Sequence, residues 1–517
     1  MPVCREIAEE LLKQKKLSYK TVERIIKKVC REHRLEDMPT NVQILQECSP
    51  EEKEKLKETL ITKPTRTISG VTIITVVAKP ADCPGKCIYC PRGENAPQSY
   101  TGLEPAVQRA IRNNYDPFLQ VKDRLNQFKL MGHARDKIEV IILGGTFLAL
   151  PQDYQEQFIK RIFDALNGND AKNLEEAQKM NETTKIKLSG LTMETRADYC
   201  FEPHINQMLR FGATRVELGV QSIYPEILKK VGRVHTIDDV VRATQLSRDA
   251  GLMVVYHMMP GLFVDKKKDL GQFKILFDDE RFKPDFLKIY PTLVIKGTEL
   301  YETWKRGEYK PMENNDALEL LAEILKYVPK YCRINRMQRD ISAHEIVAGV
   351  KKSNLRELVE AKAEKMTKIK EIRYREVGHK LLKGIEVEPD KIKMLRMDYD
   401  TLGGKEIFLS FEDTKNDILI GLCRMRIPFV HFRPEVTDKS AIIRALYVYG
   451  PIVPVGFHEK KAWQHKGFGE KLLEDAERIA KEEFGKNKMV ILSGIGVRNY
   501  YRKFGYRLDG RYVSKII

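Results

Sequence analysis

Three cysteines lie in one short loop, Cys83, Cys87 and Cys90, spaced C-x3-C-x2-C directly after a strand-like run at 71–77. Three thiolates with this spacing can hold three corners of a cubic iron–sulfur cluster, which leaves the fourth iron without a protein ligand. A zinc knuckle or a disulfide cluster is the alternative interpretation. A zinc site, however, takes four ligands, and no fourth Cys or His belongs to the pattern. The spacing therefore favours a [4Fe-4S] cluster with one open iron.

The open iron determines what such a cluster can do. It can bind the amino and carboxylate groups of S-adenosylmethionine (SAM), and an electron passed into the sulfonium releases a deoxyadenosyl radical. Tyr89 resembles the aromatic residue that radical SAM enzymes usually carry before the third cysteine. This chemistry also requires an electron donor as a partner.

The elements that must position this loop are strands that alternate with helices. Between 71 and 294, short apolar runs alternate with amphipathic stretches, which predicts a parallel β/α arrangement. Six strands are predicted, which make an incomplete (β/α)6 barrel, at 71–77, 139–143, 185–193, 215–220, 251–257 and 286–290. In such folds the chemistry gathers at the carboxyl ends of the strands, so the residues there are site candidates.

Candidate SAM-binding residues follow strands two, three and four. Gly144 and Gly145 allow the backbone to approach a ligand closely, and their position corresponds to the motif that binds the methionine amino group in radical SAM enzymes. Glu194, Arg196 and Gln221 would project into the same mouth, where the ribose and carboxylate of SAM would pair with them. A structural ion pair is the alternative. After strand six, Lys288, Tyr290 and Lys296 face either the substrate or solvent.

The last part of the chain has a second set of motifs. A Q-x-x-G-x-G turn begins at Gln464 and opens a predicted helix at 470–483, where free N–H groups can bind a pyrophosphate. A Rossmann turn fits less well, because no βαβ unit with a following acidic residue is evident. A strand and a tyrosine-rich ending at 498–506 follow, which is typical of an acetyl-CoA-binding GNAT domain.

Composition and charge limit the partners. Lys plus Arg number 90 against 73 Asp plus Glu, a net charge of +17, which favours a polyanionic partner. The basic residues Lys20, Arg24, Lys27 and Arg31 recur at helical steps and form either a solvated face or a nucleic-acid contact. No apolar run reaches the ~18 residues that span a bilayer, so no membrane partner and a cytoplasmic location are predicted.

The chain resembles the catalytic subunit of Elongator, in its stand-alone archaeal or bacterial form, over nearly its whole length. The stretches that carry the resemblance are QSYTGLEP at 98–105, QRDI at 338–341, REVG at 375–378 and SGIGVRNYY at 493–501. This family carboxymethylates the wobble uridine of tRNA, using SAM and acetyl-CoA. The resemblance therefore implies a tRNA-modifying enzyme, and the sequence does not imply the other Elongator subunits.

The resemblance also assigns roles to residues. Cys83, Cys87 and Cys90 would hold the cluster, Tyr501 would lie near the thioester sulfur, and Lys137 would contact acetyl-CoA. The pantetheine strand would comprise Leu446, Tyr447 and Val448, and the phosphate turn Gln464, Gly467, Phe468, Gly469 and Glu470. We assign the contacts with tRNA to Lys20, Arg24, Lys27, Arg31, Lys288, Tyr290 and Lys296. Family members often bind a structural zinc through connector cysteines, but here Tyr374 occupies that stretch and only Cys332 lies nearby. The sequence therefore does not favour a zinc.

An α/β multidomain chain is the resulting prediction. Its parts are a helical, basic, tRNA-binding segment at 1–65, a radical SAM partial barrel at 66–330, a basic connector at 331–389 and a GNAT-type acetyl-CoA domain at 390–517. The connector arginines clamp RNA phosphates or join two domains through ion pairs. The alternative functions are a protein lysine acetyltransferase with a non-catalytic barrel and a non-catalytic tRNA-binding scaffold. The intact cysteines argue against both.

Overall fold

A helical unit forms the N-terminal part of the computed structural model, which describes residues 2–14, 19–33, 38–60, 67–450 and 467–517. Val22, Ile25 and Val29 recur at three- and four-residue steps, and all three are buried. A capping box at Thr40 begins the third helix. The helices are α1 (Pro2–Leu12), α2 (Tyr19–Glu32), α3 (Asn41–Gln46) and α4 (Pro50–Leu60).

A parallel sheet forms the barrel that follows. The β-branched run TIITVV illustrates why these segments are strands, since such side chains suit a pleated, buried surface. The strands are β1 (Thr72–Val77), β2 (Lys137–Leu143), β3 (Lys187–Thr195), β4 (Arg215–Gln221), β5 (Met253–Met258), β6 (Phe286–Ile289), β7 (Val294–Ile295), β8 (Arg333–Arg336) and β9 (Ile346–Ala348). In the described ranges the sheet order is β1-β2-β3-β4-β5-β6-β8, and β7 pairs with β9.

The predicted incomplete barrel is confirmed, but its sheet has seven strands and not the predicted six. A seventh strand, β8, pairs in parallel with β6, with Phe286 opposite Arg333. It is a four-residue strand, RINR, of which only Ile334 is fully buried, so it lacks the apolar run by which the other strands were recognised. It lies within the segment 331–389 that was predicted as a connector.

Helices cover the outside of the barrel and continue beyond it. Several begin at a proline or at a capping side chain, such as Asp116, Thr236 and Asp265. They are α5 (Pro105–Arg112), α6 (Pro117–Leu130), α7 (Gln152–Asn167), α8 (Leu174–Asn181), α9 (Glu202–Phe211), α10 (Pro225–Lys230), α11 (Ile237–Asp249), α12 (Lys266–Asp278), α13 (Glu299–Lys305), α14 (Asn314–Ile324), α15 (Leu355–Ala363), α16 (Ile372–Arg375) and α17 (Val377–Leu382).

A second, mixed sheet forms the C-terminal domain. Its strands are β10 (Ile392–Thr401), β11 (Gly404–Asp413), β12 (Ile418–Ile427), β13 (Ser440–Val448), β14 (Lys488–Ile491), β15 (Arg507–Asp509) and β16 (Tyr512–Ile516). Only β13 and β14 pair in parallel among the described pairs, and their pairing ends at Ile443, before the last residues of β13. Helix α18 (Phe468–Glu482) packs on this sheet, and α19 (Arg498–Arg502) follows β14.

The C-terminal sheet packs against the amino ends of the barrel strands through buried ion pairs. Asp285, the residue before β6, accepts hydrogen bonds from Arg444 at 2.7 and 2.8 Å and from Arg424 at 3.2 Å. Asp249 binds Arg426 at 2.6 Å. All five side chains are almost completely buried. Three guanidiniums lower the pKa of Asp285 even though burial opposes its ionisation.

Connector arginines also pair with carboxylates. Arg333 donates to Glu376 at 2.5 Å, and Arg375 binds Asp417 at 3.0 Å as well as Glu412. These contacts favour the ion-pair interpretation of the connector over an RNA clamp.

Among the described helices, none combines the length and the hydrophobicity that a membrane span requires.

Candidate active site

A cavity of about 360 Å³ lies inside the barrel. The residues at its carboxyl end include Tyr89, Ser99 and Tyr100 from the cysteine loop region, with Gln221 and His257 from β4 and β5. At its amino end, Tyr447 and Tyr449 of the C-terminal domain also line it. Glu194 and Gln221 of the predicted SAM residues and Tyr447 of the predicted acetyl-CoA residues therefore border one cavity.

The cysteine loop is surrounded by hydrogen-bond donors and cations. Arg233 Nη1 donates to Cys87 Sγ at 3.6 Å, and Cys90 Sγ lies 2.8 Å from Ser99 Oγ. A Cβ added to Gly85 would lie 2.6 Å from Arg196 Nη1 and 3.9 Å from Cys83 Sγ, so the Arg196 guanidinium packs closely against this turn. Cys87 and Cys90 thus each have a hydrogen-bonding group beside them.

These surroundings fit a negatively charged iron–sulfur cluster. Burial raises the pKa of the Cys90 thiol, and the hydrogen bond from Ser99 opposes that effect. Guanidiniums beside thiolates stabilise the deprotonated form that binds iron. Within the described ranges, no group of three or more His, Cys, Asp or Glu side chains is placed to hold a single metal ion. The absence of a structural zinc stays a prediction.

The glycine pair after β2 is required by its backbone angles, and at Gly144 also by close packing. Gly144 and Gly145 have φ angles of +144° and +71°. A Cβ on Gly144 would lie 2.9 Å from the Cβ of Ala78, and one on Gly145 would lie 3.8 Å from that of Gln98. Residues with side chains rarely adopt these angles, so both positions need glycine.

Two predicted SAM residues carry buried polar atoms without a partner among the described residues. Arg196 forms an ion pair with Asp198, with Nε 2.9 Å from Oδ1, but its Nη1 has no partner. Gln221 has a left-handed φ of +68°, and its Oε1 has no partner. Buried polar atoms are normally paired, and backbone strain concentrates at functional sites. Both residues therefore fit a polar ligand such as SAM.

A buried network of polar side chains joins β3, β4, β5 and β6. His257 Nε2 lies 2.9 Å from Glu217 Oε2, and its Nδ1 lies 3.5 Å from Glu194. Lys288 also binds Glu217. Burial opposes ionisation of Glu217, but Lys288 and His257 outweigh it and lower its pKa. Tyr290 packs its ring 5.5 Å from that of His257.

This network changes the interpretation of Lys288. Its ammonium is buried and paired, so it lines the cavity and is not on the outer surface where tRNA phosphates would bind. Tyr290 also lines the cavity, whereas Lys296 is exposed. The structure therefore separates three residues that the sequence grouped as tRNA contacts.

The predicted phosphate turn lies at the start of α18. Gly467 precedes the helix with a φ of +82°, and the helix begins at Phe468 with Glu470 in its first turn. A Cβ on Gly469 would lie 2.7 Å from the hydroxyl of Tyr500. The N-terminus of a helix suits an anion. Gln464 lies outside the described residues.

The predicted thioester end of the site lies between the domains. Leu446, Tyr447 and Val448 are the last residues of β13, and the Tyr447 hydroxyl accepts a hydrogen bond from Arg215 of the barrel at 3.1 Å. Tyr501 is buried, and burial raises its pKa. Lys137 begins β2, where burial lowers its pKa and Asp136 opposes that shift.

The predicted basic ridge is partly neutralised. Arg24, Lys27 and Arg31 are exposed on α2, but Lys27 pairs with Glu23 at 2.5 Å. The backbone of Lys20 lies in α2, and its side chain is outside the described part of the chain.

Sequence reasoning missed several residues of the site. Arg233 and His257 belong to no sequence motif. They reach the site because the fold makes their strands neighbours of the other site strands. Ser99 and Arg339 were recognisable only as members of family stretches, and Arg339 donates to the carbonyl oxygen of Ser99. That contact explains why the two stretches lie together.

Comparisons with known proteins agree with this architecture. Family models match in chain order: ELP3 N-terminal domain at 1–68, Radical SAM superfamily at 80–274, Radical_SAM C-terminal domain at 284–365 and Acetyltransferase (GNAT) family at 377–506. The chain is 52% identical to the tRNA uridine(34) acetyltransferase of Methanocaldococcus jannaschii, over 100% of this chain and 97% of that protein. It is 44% identical to Elongator complex protein 3 of Drosophila melanogaster, over 100% of this chain and 96% of the relative.

A solved structure is also similar. The Elp3 of Methanocaldococcus infernus with an N-terminal deletion matches with a TM-score of 0.79 and 49% identity, over 87% of this chain and 100% of that one. The parallel barrel with its cysteine loop and the appended acetyltransferase sheet define a radical SAM protein that carries a GNAT domain. The chain belongs to the family of Elongator complex protein 3 and the archaeal tRNA uridine(34) acetyltransferases.

Proposed function

We propose that this protein modifies the wobble uridine of tRNA, forming 5-carboxymethyluridine from acetyl-CoA by SAM-dependent radical chemistry. The observation that carries the proposal is the shared cavity, which the cysteine loop region borders at one end and the pantetheine strand at the other. The names of the relatives agree with tRNA as substrate.

The chemistry explains why one chain needs both domains. The methyl group of acetyl-CoA is unactivated, and a [4Fe-4S] cluster with SAM, when bound, supplies the one-electron chemistry that can form a carbon–carbon bond from it. Cys83, Cys87 and Cys90 would hold the cluster, and an electron donor would be required.

The chain's own residues would bind and orient the reactants. Arg196 Nη1 and Gln221 Oε1, which have no partner among the described residues, would be available to SAM. Tyr501 keeps its phenol neutral because burial raises its pKa, so it would donate a hydrogen bond near the thioester. Arg24, Lys27 and Arg31 would contact tRNA phosphates from outside the cavity.

Cysteine substitution tests the role of the cluster. We expect Cys87→Ser to abolish tRNA modification while tRNA and acetyl-CoA still bind, because the substitution removes an iron ligand that neither of them contacts. Cys30→Ser, in the N-terminal helices, is the matched control and should stay active. A Cys87→Ser variant that modifies tRNA at the normal rate would refute the proposal. A variant that retains only protein acetylation would instead support the lysine acetyltransferase alternative.

A further inference from the structure

The two ends of the shared cavity are far apart along the barrel axis. Strand β4 runs from Arg215 at the end that faces the GNAT domain to Gln221 at the mouth, a length of about 20 Å at roughly 3.3 Å per residue. Arg215 contacts Tyr447 of the pantetheine strand, and Gln221 is a candidate SAM residue. Atoms that react must approach to about 3–3.5 Å. The predicted acetyl-CoA and SAM positions therefore cannot react unless one ligand moves along the barrel.

The barrel interior is open along this whole length. Alternate residues of each strand line it from one end to the other. On β1 and β2 these are Ile73, Thr75, Glu139, Ile141 and Leu143, and on the other side Arg215, Phe286, Lys288 and Arg333. The first wall is mostly apolar and the second mostly charged. The seven strands do not close into a full barrel, and the space that they enclose is one continuous cavity.

The entrance beside the GNAT domain has an available hydrogen-bond donor. Arg215 Nη1 lies 3.3 Å from Glu139 Oε2 and its Nη2 is 3.1 Å from the Tyr447 hydroxyl, while its buried Nε has no partner among the described residues. A carbonyl oxygen at this entrance would pair with that donor.

We propose that the barrel interior is a passage for the acetyl-bearing pantetheine arm of acetyl-CoA, from the GNAT face to the SAM mouth. The arm is a thin chain with apolar methylenes and two amides, and it matches a passage with one apolar and one polar wall. Arg215 guides the carbonyls of the arm at the entrance. This inference rests on the proposed function, since it concerns how the two cofactor sites meet.

A cysteine placed halfway along the passage tests the path directly. Thr75 lines the cavity, whereas Ile74 on the same strand is fully buried on the outer side.

The labelling experiment uses CoA disulfide as the probe. Holoenzyme carrying Thr75→Cys is incubated with it, and the bound cluster protects the three native cysteine ligands. The new thiolate attacks one sulfur of CoA disulfide, forms a protein–CoA mixed disulfide and releases one CoA thiol. Mass spectrometry of the intact protein measures this product. Cystamine, a small disulfide, reports whether the thiol is accessible, and Ile74→Cys is the matched control.

We expect CoA to label Thr75→Cys and not Ile74→Cys, and we expect desulfo-CoA, which occupies the GNAT site without a thiol, to suppress the labelling at least tenfold. Labelling that desulfo-CoA does not suppress overturns the proposal, because CoA then enters from elsewhere. Labelling by cystamine but not by CoA disulfide overturns it too. If cystamine also fails to label Thr75→Cys, the proposal is overturned as well, because a passage that is closed to cystamine is closed to the pantetheine arm.

A second variant separates this inference from the proposed function. Ile141→Trp should block the passage and lower tRNA modification at least tenfold, while SAM cleavage and CoA binding persist, and Ile141→Ala should lower modification much less because it leaves the passage open. Wild-type modification of tRNA without CoA labelling of Thr75→Cys would refute the passage alone. Labelling without any tRNA product would refute the proposed function and leave the passage in place.

Discussion

At the residue scale, the cysteine loop depends on side chains that come from distant strands. Arg233 lies after β4 yet donates to Cys87 Sγ at 3.6 Å, and it also binds the carbonyl oxygen of Gly219. Arg196 follows β3 and reaches the turn at Gly85. These cations place positive charge beside the cysteine loop, where thiolates would hold the cluster.

Removal of one of these cations should change the cluster's properties without destroying its ligand set. We expect Arg233→Met to shift the reduction potential of the cluster to a more negative value, because reduction adds negative charge beside a lost cation. A hydrogen bond to a charged group contributes about 1.5–3 kcal/mol, so SAM cleavage should slow by roughly tenfold or more. Spectroelectrochemistry of the reconstituted protein measures the potential. Arg242→Met, at an exposed arginine paired with Glu202, should leave it unchanged, and equal shifts in both variants would contradict this account.

At the element scale, helix α12 supports the loop after β5. Its first-turn residue Asp269 accepts hydrogen bonds from Gly261 N and from Gln272 Nε2, both at 2.6 Å. Burial raises the pKa of Asp269 to about 7, although both hydrogen bonds oppose the shift. Gln272 Oε1 lies nearby without a partner among the described residues, and it would accept a hydrogen bond from the protonated carboxyl of Asp269.

This raised pKa predicts a pH dependence of stability. Since the pKa is higher in the folded state, the folded protein binds more protons, and the free energy of unfolding falls as pH rises from about 4 to about 7. Asp269→Asn should remove this loss, which is on the order of 3 kcal/mol between pH 5 and pH 8. Denaturant unfolding at pH 5 and pH 8 measures it. The same loss in wild type and variant would show that Asp269 does not titrate in this range.

The barrel strands show how much of the fold could be predicted from the sequence. The first six barrel strands were recognisable because each is an apolar run. Strand β8 was not, because its arginines leave only Ile334 fully buried and its place is set by pairing with β6. The cysteines and glycines of the site follow local patterns, whereas His257 and Arg233 do not. Their roles depend on which strands become neighbours, and the spacing of residues in one sequence does not encode that directly.

At the scale of the whole molecule, buried ion pairs hold the GNAT sheet against the barrel. Asp285 lies at the centre, with Arg444 and Arg424 bound to it and Arg248 3.9 Å away. A buried charge that loses its partner is strongly destabilising. This interface also keeps Tyr447 in contact with Arg215, so it aligns the two halves of the cavity.

Breaking the ion pairs of this interface should lower the free energy of unfolding far more than breaking an ion pair on the surface. Asp285→Ala should lower the free energy of unfolding by about 3–5 kcal/mol, because three buried guanidiniums lose their counter-charge. Glu308→Ala removes an exposed pair with Arg306 at 2.9 Å and should cost less than about 1 kcal/mol. Denaturant titration compares the two variants. Similar losses would mean that the interface pairs do not stabilise the assembly of the domains.

In the proposed function, carbon from acetyl-CoA becomes part of tRNA by SAM-dependent chemistry. The direct measurement uses anaerobically reconstituted protein, a reductant, SAM, acetyl-CoA labelled with ¹³C in its methyl group and a tRNA with an unmodified wobble uridine, followed by nucleoside mass spectrometry. We expect a ¹³C-labelled carboxymethyl group on that uridine, which disappears when SAM is omitted or Cys87→Ser is used. Binding of acetyl-CoA and tRNA to the reconstituted protein with no label on any uridine would contradict it.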